Sequence, residues 1–161
     1  MRRFSGVVLL ALLLVLGCST NMASFEIGDP ESSRRVLVAG EQTEFKKHVV
    51  EGMIEKLGTK SWYIRVIGLD QLAEEDTALY GAIALVAGYR AGRLDQRVSD
   101  FLAPNPTDPR IVVFYTRGTE DPMPVRSKPD LRVEAISSAS KKDREGMRAE
   151  QLAALIEARF R

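Results

Sequence analysis

Three short apolar runs limit this chain's fold more than any other feature. Val36-Leu37-Val38-Ala39 stops at Gly40, Ala82 to Ala87 stops at Gly88, and Ile111 to Tyr115 stops at Thr116. A strand points successive side chains to opposite faces, so a run without a polar member must be covered on both. That is the situation of strands inside a parallel sheet with helices above and below it. Two further segments alternate instead and are expected at the sheet edges. They are Trp62 to Leu69, with Arg65 between Ile64 and Val66, and Leu131 to Ile136, with Arg132 and Glu134 outward.

Helical spacing fills the gaps between these segments. Phe45, Val49, Val50, Met53, Ile54 and Leu57 recur on one stripe that Gly58 ends. Leu94, Val98, Phe101 and Leu102 form a second stripe, closed by Pro104, Pro106 and Pro109. Ala149, Leu152, Ala153, Ile156 and Phe160 form a third. The pattern predicts an α/β fold: a doubly wound, five-stranded, mostly parallel sheet in the order 2-1-3-4-5 with helices on both faces. Pro122, Pro124 and Pro129 argue against a crossover helix before the fifth strand. An irregular loop is expected there over 117–130, with an antiparallel fifth strand as the alternative.

The first residues obey different rules. Met1-Arg2-Arg3 is positively charged, Val7 to Leu16 is unbroken and apolar, and Gly17 precedes Cys18, the sole cysteine. The run is shorter than the roughly 18 apolar residues a membrane span needs, and it fits the apolar region of an export signal. In this order the segments resemble the signal and lipobox of bacterial lipoproteins. The resemblance implies cleavage after residue 17 and lipidation of Cys18, with diacylglycerol and palmitate-type chains anchoring the protein to a membrane. Two or three acyl chains hold stably where one is marginal. Ser19 stands in place of the Asp that retains enteric lipoproteins at the inner membrane. A cell-envelope location is therefore expected, at the outer membrane or periplasmic face. The division is a signal peptide over 1–17, a lipidated N-terminus and tether over 18–33, and one domain over 34–161. Removing Arg2 and Arg3 leaves 21 basic against 22 acidic residues. Such a balance gives no case for a nucleic-acid partner.

In a doubly wound sheet, ligands bind beyond the carboxyl ends of the strands where the order reverses. Three loops qualify: Gly40 to Thr43, Gly88 to Gly92, and Thr116 onward. At these loops the chain resembles the flavodoxin family. YGAIALVAGYRAGRLDQRVSDFL (80–102) looks like that family's third strand, flavin-side loop and following helix. RIVVFYTRGT (110–119) looks like its fourth strand, and VLVAGEQTEFKKHVVEGMIEKL (36–57) takes the place of its first strand, phosphate loop and first helix. The resemblance implies a flavodoxin-like fold holding flavin mononucleotide (FMN) for electron transfer or a flavin-dependent oxidoreductase. Thr43, Tyr89, Gly92, Thr116 and Gly118 would be the cofactor-binding residues. A redox or envelope protein would be the partner.

One stretch departs from the family. Its phosphate loop is rich in hydroxyls and glycines, because several donors must converge on a dianion at a helix N-terminus. Here the loop is the short Gly40-Glu41-Gln42-Thr43, and Glu41 sets a carboxylate where a phosphate would sit. The alternative expectation is therefore a flavin-free interaction or envelope-structure module without catalysis. Arg90, Arg93 and Arg117, all near the same sheet edge, form an alternative anion site. No catalytic residue is nominated. His48, the sole histidine, has no nucleophile beside it in sequence, and no metal-ligand spacing occurs.

Overall fold

The computed structural model describes residues 21–58, 60–118 and 131–161. The expected signal peptide, Cys18 and most of the loop expected over 117–130 lie outside the described residues. The described elements are β1 (Phe25–Gly28), β2 (Arg35–Gly40), α1 (Glu44–Leu57), β3 (Tyr63–Gly68), β4 (Ala82–Arg90), β5 (Arg93–Leu94), α2 (Gln96–Leu102), β6 (Ile111–Arg117), β7 (Glu134–Ala139) and α3 (Glu145–Ala158).

The sheet runs β1-β3-β2-β4-β6-β7, with β5 paired to β4. Within it β3, β2, β4, β6 and β7 are mutually parallel, which is the expected 2-1-3-4-5 order. The fifth strand is therefore parallel, not antiparallel. It lies at Glu134–Ala139, three residues beyond the expected start, and Leu131 and Val133 pack against the core instead.

Strict alternation explains the apolar runs. Val36 and Val38 of β2, Ala84 and Val86 of β4, and Val112 and Phe114 of β6 face α1 and α3. Leu37 and Ala39, Ile83, Leu85 and Ala87, and Ile111, Val113 and Tyr115 face Val98 and Leu102 of α2. Each Val, Leu or Ile so buried contributes about 1.5–3 kcal/mol, and these runs supply both layers of the core. Gly52 of α1 lies where a Cβ would stand 2.9 Å from the Ala149 Cβ, so α1 and α3 cross closely there. Between β3 and β4 there are only short 3-10 turns, at Leu69–Gln71 and Thr77–Leu79, in place of a crossover helix.

Two sequence expectations are corrected. Among the described residues the sheet has seven strands, not five, because β1 adds an antiparallel strand outside β3 and β5 forms a hairpin with β4. Consequently β3 is not an edge. Its Arg65 is half-buried between Glu26 of β1 and Glu75, with carboxylates of both as ion-pair partners. The second correction follows from β1: the segment expected as a tether over 18–33 is part of the fold from Asn21. The Met22 amide donates to the Gly40 carbonyl at 2.9 Å, and the Met22 side chain is buried.

Candidate functional site

The carboxyl ends of β2, β4, β6 and β7 meet around an open cavity of about 340 Å³. Its lining includes Thr43, Lys46, Tyr89, Arg90, Thr116, Arg117, Gly118 and Lys141. The three loops therefore converge where the strand order predicts. Gly92 and Arg93 are not among the lining residues. Strand β4 continues to Arg90 instead of ending at Gly88, then reverses through Ala91 (φ 49°) and Gly92 (φ 76°). Positive φ at both central residues is what a tight two-residue hairpin requires. Gly92 serves that turn, and Arg93 is exposed and pairs with Arg90 in the hairpin ladder.

Thr43 is the N-cap of α1, its hydroxyl accepting from the Lys46 amide at 3.3 Å. Capping fixes the first turn of the helix and so directs the Lys46 side chain. Lys46 is fully buried, and its Nζ donates to Oε1 of Glu41, which is 1% exposed. Nη2 of Arg90 donates to the same oxygen at 3.2 Å. Two cations thus converge on one carboxylate oxygen at the start of the phosphate-loop position. A Cβ on Gly88 would lie 2.6 Å from that oxygen, so glycine is what lets the carboxylate approach β4. Burial pulls the Lys46 ammonium below the usual lysine range, and the Glu41 carboxylate opposes that shift.

Tyr89 is 8% exposed and turns toward α2, its ring centroid 5.7 Å from that of Tyr115 at 52°. Most of the ring therefore belongs to the core cluster, with an edge on the cavity. Thr116 is buried near the end of β6, and Gly118 is exposed just after that strand.

The N-terminal segment crosses the same rim. Asn21 bridges to Glu41 and accepts from Arg97 Nη1 at 2.6 Å. Arg97 is itself held by both oxygens of Asp95, at 2.9 and 2.8 Å, and Asp95 caps α2. Those bonds keep the Asp95 carboxyl below its usual range.

Lys46 was the residue the sequence concealed. It sits beside Phe45 in a run that includes the exposed Lys47, and nothing in the spacing separates the two lysines. His48 contacts Glu145 across the α1–α3 junction at 3.1 Å, away from the cavity. Among the described residues no group of three histidine, cysteine or acidic side chains is placed to hold a metal. No described helix is long and apolar enough to cross a membrane.

Comparison with solved structures agrees with this architecture. The chain superposes on oxidised flavodoxin 2 from Bacillus cereus with a TM-score of 0.55, covering 80% of this chain and 100% of that one, at 11% identity. This chain has a flavodoxin-like fold. At that identity the likeness concerns the fold alone. No protein-family model and no curated protein sequence matches the chain.

A flavodoxin-like fold raises the question of whether these residues suit FMN. They do not suit its phosphate. The two cations nearest the loop already pair with Glu41, and the Glu41 amide donates to the Val86 carbonyl at 3.0 Å. A second anion there would compete with the buried Glu41 carboxylate for Lys46 and Arg90, and like charges at close range repel by a few kcal/mol at intermediate dielectric.

Proposed function

We propose that the protein is a lipid-anchored module of the cell envelope that uses the flavodoxin-like scaffold without FMN and acts by binding a partner at the carboxyl rim of its sheet. The Glu41–Lys46–Arg90 cluster carries this reading, because it installs a side-chain anion where a cofactor phosphate would need donors. The motif around Cys18 supports the anchor. Beside that cluster, Arg117 lines a cavity that also offers the Thr43 and Thr116 hydroxyls, which suits an acidic or hydrogen-bonding group of a partner. Purified protein should show no flavin absorbance in the blue, and growth with labelled fatty acid should label the parent but not Cys18→Ala. A bound flavin, or label retained in Cys18→Ala, overturns the corresponding half of the proposal.

The cavity itself favours a second reading. It opens at the carboxyl ends of the strands, with an aromatic edge from Tyr89 and a glycine at 118. A ligand with a flat ring and no phosphate, such as riboflavin, avoids the conflict with Glu41. Titration with riboflavin separates this reading from the first: saturable quenching at micromolar protein favours it, and unquenched fluorescence removes it.

A further inference from the structure

We infer that the carboxyl rim of the sheet, with the cavity opening on it, rests against the phospholipid headgroup layer. The inference builds on the proposed anchor at Cys18 and adds an orientation to it. Cys18 stands three positions before Asn21. Three residues reach at most about 11 Å even when fully extended. Asn21 is not on a free tail: it bridges to Glu41, its carboxamide oxygen accepts from Arg97, and the next amide is bonded to Gly40. The covalent path to the lipid therefore leaves the domain from the carboxyl ends of β2 and β3. A six-residue strand separates that rim from the opposite edge by about 20 Å. The anchor cannot span this distance, so the opposite edge cannot be the face that rests on the bilayer.

The rim's surface agrees with that orientation. Phe25, 44% exposed, begins β1 opposite Val66 near the carboxyl end of β3, and it borders a small apolar cleft with Met22 and Ala23. Arg93, exposed, projects from the β4–β5 hairpin on the same rim and can meet headgroup phosphates. A ligand entering the cavity would then arrive from the headgroup region or laterally beneath the domain.

The test uses the chain from Cys18 onward, which keeps every described residue. Its single thiol is added across the double bond of a maleimide-headgroup lipid in phosphatidylcholine vesicles, forming one thioether and placing the anchor at residue 18. Arginine modification by phenylglyoxal is then followed residue by residue by mass spectrometry. Arg93 should react at least threefold more slowly than in the uncoupled chain. Arg34, exposed at the amino end of β2, should be unchanged. A long Gly/Ser insertion between Thr20 and Asn21 should restore the rate at Arg93. Equal slowing at Arg34, no slowing at Arg93, or slowing that survives the insertion overturns the inference. Vesicle coupling does not depend on cellular acylation. Failure of fatty-acid labelling at Cys18 in cells is therefore a distinct result, and it overturns the anchor rather than the geometry.

Discussion

Replacing Glu41 by Gln should be among the most damaging single changes available to this fold, and its cost should depend on pH in a defined direction. The carboxylate is 2% exposed and Lys46 is 1% exposed at their side chains, so the substitution leaves an ammonium in the core. Removing one partner of a buried pair costs about 3–5 kcal/mol. The ammonium can escape part of the penalty by releasing its proton. At pH 7 that release costs an ordinary lysine about 5 kcal/mol, which sets a ceiling near the top of the same range. If Lys46 is neutral in the folded variant, the unfolded chain binds one more proton. Stability should then rise by about 1.4 kcal/mol per pH unit from neutrality toward the unfolded lysine pKa. Urea denaturation at pH 7, 8 and 9 reads both magnitude and slope. Glu41→Gln/Lys46→Met, which removes both charges, should recover most of the loss, because an apolar pair of similar volume is often neutral or stabilising in place of a buried ion pair. A cost below about 1 kcal/mol with no pH slope would mean that water reaches the pair, and the argument from a closed phosphate position would fail with it.

Other perturbations probe separate parts of the account. A chain beginning at Arg34 lacks β1 and Met22, and should lose at least the roughly 1.5–3 kcal/mol of burying that methionine; a melting curve matching that of the longer chain would contradict the pairing of β1 with β3. Tyr89→Ala should destabilise by about 3–5 kcal/mol as a core truncation against Tyr115, measured by denaturation without any ligand. Asp95 and Asp108 are held below the ordinary 3.8 by hydrogen bonds from Arg97 and Arg110. Their stabilisation is complete above that unfolded value and is lost as pH falls through it toward the folded values, so Asp95→Asn and Asp108→Asn should each flatten the acid limb of a stability–pH curve. An unchanged acid limb in both variants would remove these pairs from the account.

Much of the scaffold was legible because burial on two faces leaves short, continuous apolar runs, which a strand open to water on one face does not show. The runs at 36–39, 82–87 and 111–115 identified β2, β4 and β6, and their spacing placed the order reversal. Strand β1 was not legible. Phe25-Glu26-Ile27-Gly28 is four residues inside a polar stretch, and its pairing is decided by a long-range contact with β3. The same contact misled the reading of Arg65, where a polar residue in an alternating strand suggested solvent but was matched by Glu26 and Glu75. At the site, Glu41 was conspicuous as a carboxylate in the place that the family's phosphate loop takes. Its partners were not, because whether Lys46 or Lys47 turns inward depends on the helix phase that the Thr43 cap sets. Likewise the sequence suggests a loop at Tyr89 because glycine suits a turn at a strand end, whereas here Gly88 makes room for Glu41 within the strand.

The central claim is that this scaffold has exchanged a cofactor phosphate for its own carboxylate. Parallel fluorescence titrations of FMN and riboflavin, which differ only in that phosphate, test it most directly. The parent protein should bind FMN no more tightly than riboflavin, and Glu41→Ser, which leaves Lys46 and Arg90 without their anion, should shift the preference toward FMN. Parent protein that binds FMN tenfold or more tightly than riboflavin, a difference of about 1.4 kcal/mol in favour of the phosphate, would contradict it.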